Sequence, residues 1–81
     1  MPSRSSLPDN LKRKKLCRAL EKLGFEISTR GGNGSHIKAT YIQNQKCIII
    51  PDDLRRDVLY YILKEIESVG SVTWDDIKRY L

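Results

Sequence analysis

At 81 residues, with fifteen Lys and Arg against ten Asp and Glu for a net charge of +5, the chain has room for one small domain. A core that thin excludes a deep enclosed substrate cavity. The charge is lopsided, because residues 1–46 carry ten basic and three acidic side chains while residues 47–81 carry five and seven; the basic half favours a polyanion, and the acidic half excludes wrapping one all round. Two cysteines, no apolar run of about 18 residues and no apolar leader core give the expectation of a soluble, unprocessed chain in a reducing cytoplasm, away from membranes.

In chain order, residues 1–8 are too poor in apolar side chains to pack and read as a flexible lead-in to a single domain over 9–81. Asp9 or Asn10 is positioned to cap a helix running to Leu23, where Leu16, Ala19, Leu20 and Leu23 repeat at helical spacing and Gly24 supplies the stop. Lys14, Lys15, Arg18 and Lys22 fall on its other side, as either a solvated surface or a phosphate-contacting face. Residues 25–30 alternate as a half-buried strand, and Gly31-Gly32-Asn33-Gly34 breaks it. Alternation returns over 35–41, with Ile37, Ala39 and Tyr41 on one face and His36, Lys38 and Thr40 on the other. A polar turn at Gln43-Asn44-Gln45 leads to a third strand, 46–50, apolar on both faces and closed by Pro51. Asp52 or Asp53 is positioned to cap a second long helix ending near Gly70, with Leu54, Val58, Tyr61, Ile62, Ile66 and Val69 as its buried face. Thr73-Trp74-Asp75-Asp76 has capping-box spacing and opens a short final helix that Trp74 and Ile77 pack onto the domain. The order gives an α+β fold, a three-stranded antiparallel meander with both main helices on one face.

The only histidine, His36, follows the glycine-rich turn, and imidazole alone combines proton acceptance and donation near neutrality at an unperturbed pKa of about 6.5. Gly31, Gly32 and Gly34 permit backbone turns that aim successive N–H groups at one point, and Arg30, Ser35 and Lys38 add donors for a phosphate. The plainer alternative is an ordinary hairpin loop, since the following helix of a nucleotide-binding loop is missing. Cys17, Cys47 and His36 show no metal-ligand spacing, and Asp52, Asp53 and Asp57 fit a helix start, so no metal or cofactor is expected.

Leu11-Lys12-Arg13-Lys14-Lys15-Leu16, Leu20-Glu21-Lys22-Leu23-Gly24-Phe25, Gly34-Ser35-His36 and the strand ending Ile50-Pro51 together resemble the HicA toxins of type II toxin-antitoxin systems, over about residues 11–81. The resemblance implies a double-stranded-RNA-binding-type α-β-β-β-α domain and an mRNA interferase, with His36 as the catalytic residue and a HicB-like antitoxin as inhibitory partner. The chain differs from the usual family pattern in a longer loop over Gly31 to Asn33, in Ile37 where a second histidine is common, and in a longer segment before Trp74.

On that resemblance His36 takes the ribose 2′-OH proton or protonates the leaving 5′-oxygen in a metal-independent transesterification, with Lys38 or Arg30 stabilising the phosphorane charge. Gly34, Ser35, Lys38, Arg30, Lys14, Lys15, Arg18 and Lys22 form the expected RNA contacts. Two alternatives stand beside it. One is a non-catalytic RNA-binding module, against which the acidic Pro51-Asp52-Asp53-Leu54 stands where such domains carry a lysine cluster. The other is a protein-interaction domain, whose two-sided apolar strand 47–50 would equally serve an antitoxin or a homodimer.

Overall fold

The computed structural model describes residues 7–28 and 36–81, with His36 through its backbone. The elements are α1 (Arg13–Lys22), β1 (Phe25–Ser28), β2 (His36–Tyr41), β3 (Cys47–Pro51), α2 (Arg56–Gly70) and α3 (Trp74–Lys78). The strands form an antiparallel sheet of order β1-β2-β3, as short connections require.

Register sorts the strand residues onto two faces. Ile37 pairs with Ile50, and Ala39 with Ile48 and Ile27, so these share the face that α1 and α2 cover. Leu16, Ala19 and Leu20 of α1, Leu59, Ile62, Leu63 and Ile66 of α2, and Trp74 and Ile77 of α3 are all buried in that one core. The opposite face is open: Lys38, between Ser28 and Ile49 in the register, is exposed, and Ile49 is 50 % exposed. The third strand is therefore apolar on both faces, with only Ile48 and Ile50 buried.

Both long helices start later than their cap residues suggested, and the reason is tertiary. The Asp9 carboxylate pairs with the Arg56 guanidinium, while its carbonyl accepts the Arg56 backbone N–H at 3.2 Å. Asn10 bridges to Arg55, and the Leu11 N–H donates to the Leu54 carbonyl at 3.4 Å. Residues 9–11 are thus spent on the entry to α2, and Lys12 begins α1 without a side-chain cap. Leu7 belongs to the same segment and is 3 % exposed; an average over a polar stretch hides one leucine that has a core to enter. Asp53 likewise turns back onto Arg55, accepting from its backbone N–H at 3.2 Å and its Nε at 2.8 Å, so α2 also lacks a side-chain cap. Tyr61, expected on the buried face of α2, is 58 % exposed, because the stripe narrows to Leu59, Ile62, Leu63 and Ile66 and leaves the ring edge-on to Tyr60 at 6.0 Å.

Two glycines sit where the chain reverses or closes. Gly24 has φ +100°, which an L side chain rarely adopts; it ends α1, and its carbonyl accepts the Ile42 N–H at 3.1 Å. At Gly70 a Cβ would come within 3.1 Å of the Tyr41 ring, which is tilted against Phe25 with centroids 4.9 Å apart. The end of α2 therefore rests its backbone on this ring pair, and Asn44 Nδ2 pins the β2–β3 turn beside it by donating to the Val69 carbonyl at 2.8 Å.

The capping box of α3 is present. Thr73 Oγ1 accepts the Asp76 N–H at 3.3 Å, and an Asp76 carboxylate oxygen accepts the Thr73 N–H at 3.0 Å. That backbone bond first, and the Thr73 hydroxyl second, hold the Asp76 carboxyl below the usual carboxylate range. Because the native value is the lower one, the contribution is complete above the unfolded carboxylate value and is lost as pH falls through the native value. Thr73→Ala should cost about 1 kcal/mol, and Asp76→Asn should destabilise at neutral pH but converge with the parent in acid. Urea midpoints measured across that pH range check both.

Candidate nucleic-acid interface

The amphipathic α1 turns Leu16, Cys17, Ala19 and Leu20 into the core that the sheet shares. The space beneath is a cleft of about 700 Å³. Cys17, Ile27 and Ile37 give it an apolar floor, and Lys12, Arg13, Lys14 and Arg18 a cationic rim. Two carboxylates, Glu21 and Asp52, also reach it, so the charged lining nets +2. Arg13 Nη2 lies 3.4 Å from Asp52 Oδ1 and ties the start of α1 to the segment after β3.

His36 is the first residue of β2 and pairs with Pro51 across the sheet. Its chain neighbour Ile37 and Asp52, the residue after Pro51, both line the cleft. Position 36 is therefore next in sequence to the cleft floor while sharing the strand parity of exposed Lys38, about 7 Å further along β2, opposite to that of Ile37. Ile37 is buried with 8 % exposure, so it serves the core and the cleft floor.

The expected RNA-contacting residues separate in space. Lys14 and Arg18 stand on the cleft rim, and Lys38 on the open sheet face. Lys22 points elsewhere, with its Nζ 5.6 Å from the Tyr80 ring centroid, and exposed Lys15, seven residues earlier, shares that side of the helix. Arg30, Gly34 and Ser35, with the rest of the glycine turn, lie outside the described residues. Cleft residues absent from the sequence expectation are Asn10, Leu11, Lys12, Arg13, Cys17, Glu21, Ile27, Ile37 and Asp52. The available signal was Ile27 and Ile37, two core-parity isoleucines at the end of the sheet where α1 begins.

Cys17 is buried, and that burial chiefly raises its thiol pKa; Arg13 opposes the rise and Glu21 adds to it. A thiol kept protonated is a poor nucleophile and serves as floor. Iodoacetamide at neutral pH should therefore alkylate exposed Cys47 well before Cys17, as peptide mass mapping over time will check. Among the described residues no three His, Cys, Asp or Glu side chains are grouped to hold a metal ion, and no helix is long and apolar enough to cross a membrane.

A family model described as the HicA toxin of bacterial toxin-antitoxin matches residues 13–68. The chain belongs to the HicA toxin family. No curated protein and no solved structure matches it. The family match runs from the first residue of α1 through most of α2 and takes in His36, Lys38 and the cleft cations Arg13, Lys14 and Arg18, but not Lys12. It leaves out α3, so the Trp74 and Ile77 closure of the core stands beyond the part that defines this protein as a HicA toxin.

Proposed function

We propose that this HicA-family chain is the toxin half of a type II toxin-antitoxin pair, an endoribonuclease that cuts mRNA with His36 as its catalytic residue and is neutralised by a HicB-like antitoxin. The observation that carries the reading is the placement of the only histidine at the start of β2, next in sequence to a residue of the cationic cleft. Family membership supplies the toxin-antitoxin context.

In the proposed reaction the ribose 2′-oxygen attacks the adjacent phosphorus and the bond from phosphorus to the 5′-oxygen breaks. The products are a 2′,3′-cyclic phosphate and a 5′-hydroxyl. His36 accepts the 2′-OH proton or donates one to the leaving 5′-oxygen, and solvent water makes the complementary transfer. Lys38, exposed on the same strand, or Arg30 offsets the charge on the phosphorane, and no metal is needed. Lys14 and Arg18, with Gly34 and Ser35, hold flanking phosphates, and Lys15 and Lys22, on the Tyr80 side of α1, contact RNA that extends round the helix.

Purified chain incubated with a defined mRNA in EDTA should yield fragments with those two end groups, and induction in cells should arrest growth until a HicB-like protein is co-expressed. Intact RNA and indifferent cells, with RNA still bound, would leave the non-catalytic RNA-binding module in its place.

A further inference from the structure

The cleft under α1 is more apolar than a track for phosphates needs to be. A backbone groove requires only cations, yet here the lining also includes buried Cys17 and Ile37 and half-buried Ile27, beside exposed Lys14 and Arg18. We propose that the cleft receives one unpaired nucleotide of a single-stranded RNA, its base on the apolar floor and its phosphate on Lys14 and Arg18. This rests on the reading of the chain as an RNA-cleaving toxin, and adds that its substrate presents an unpaired nucleotide.

Three observations converge on that ligand. The volume of about 700 Å³ falls in the range of small-molecule sites, roughly 300–1,000 Å³, and leaves room for a nucleotide. The lining is graded along the helix: Lys14 and Arg18 are four residues apart, and Glu21 follows three residues later, all at the cleft. A phosphate is therefore drawn to Lys14 and Arg18, the Asp52 carboxylate at that end being paired with Arg13, and repelled from Glu21, where a carboxylate accepts a hydrogen bond from a base N–H. Third, the floor includes Ile37, the residue after His36, so a base seated there lies on the helix-covered face one residue along β2 from the strand's start, with Lys38 on the opposite face. A duplex cannot use this site, because its bases are stacked inside the helix and would have to be pulled out to reach the floor.

The test uses the full chain carrying His36→Ala, so that RNA persists. Each of the four nucleoside monophosphates, and ribose 5-phosphate as the base-free control, is titrated while backbone amide resonances are followed by NMR. Nucleotides should shift Cys17, Arg18, Ile27 and Ile37, whereas ribose 5-phosphate should leave Ile27 and Ile37 in place. A labelled single-stranded RNA octamer should bind more tightly than its duplex, and Arg18→Ala or Ile27→Trp should each weaken the single strand by about tenfold. Amides of Ile27 and Ile37 that ignore every nucleotide, or equal binding of single strand and duplex, would overturn the inference even if the unmutated chain cleaves RNA. Nucleotides in the cleft of a chain that cleaves nothing would uphold the inference and remove the nuclease reading instead.

Discussion

His36→Ala is expected to lower the rate of RNA cleavage by about 10²–10⁴-fold, the usual contribution of one positioned general acid-base group. The fold should survive. Position 36 opens β2 on the parity opposite to Ile37, Ala39 and Tyr41, and those are the β2 residues that meet the core and the Phe25–Tyr41 ring pair. The circular-dichroism melt of the variant should accordingly follow the parent. Binding of single-stranded RNA should persist, because the cations proposed to hold it stand on α1 and the sheet at other positions. Induced cells should no longer arrest. Undiminished cleavage by a folded His36→Ala protein would remove the histidine from the chemistry and leave Lys38 and Arg30 as the side chains invoked in the reaction.

Most of the fold was legible in the sequence, because period is a local signal. The apolar stripe of α1, the period-two alternation of β1 and β2 and the capping box at Thr73 all involve residues a few positions apart, which is the range over which sequence patterns report structure. The helix starts were not legible, since what moved them was remote in sequence. Asp9 could not be seen to prefer Arg56, 47 positions away, over its own helix, and Asp53 could cap only if Arg55 did not hold it first. The candidate site divides in the same way. His36 and Lys38 were legible as strand residues of one parity. The cleft was not, because it is made where Cys17 on one helix meets Ile27 and Ile37 on two strands. Four helix cations that look equivalent on a wheel are told apart only by their neighbours: Arg18 meets the cleft, and Lys22 meets Tyr80.

Leu20→Ala should disable the protein by a different route, and the difference is diagnostic. Leu20 is fully buried on α1, the helix that packs against β1 and α3 and carries Lys14 and Arg18. Truncating a leucine in such a place costs about 2–5 kcal/mol, the lost transfer energy plus the cavity left behind. A domain of this size has a total stability of only about 4–12 kcal/mol, so the midpoint of thermal unfolding should fall by roughly 12–24 °C for a loss of about 3 kcal/mol. Near the parent's working temperature the variant will be partly unfolded and α1 will no longer hold the rim of the cleft, so cleavage and RNA binding should decline together. Cooling separates this from the loss of a catalytic group. Below its lowered midpoint Leu20→Ala should recover a rate close to the parent's at the same temperature, whereas His36→Ala should stay about 10²–10⁴-fold below the parent at every temperature. A Leu20→Ala melt coincident with the parent's would mean that α1 is not held by its buried stripe, and the cleft beneath it would then lose its structural basis.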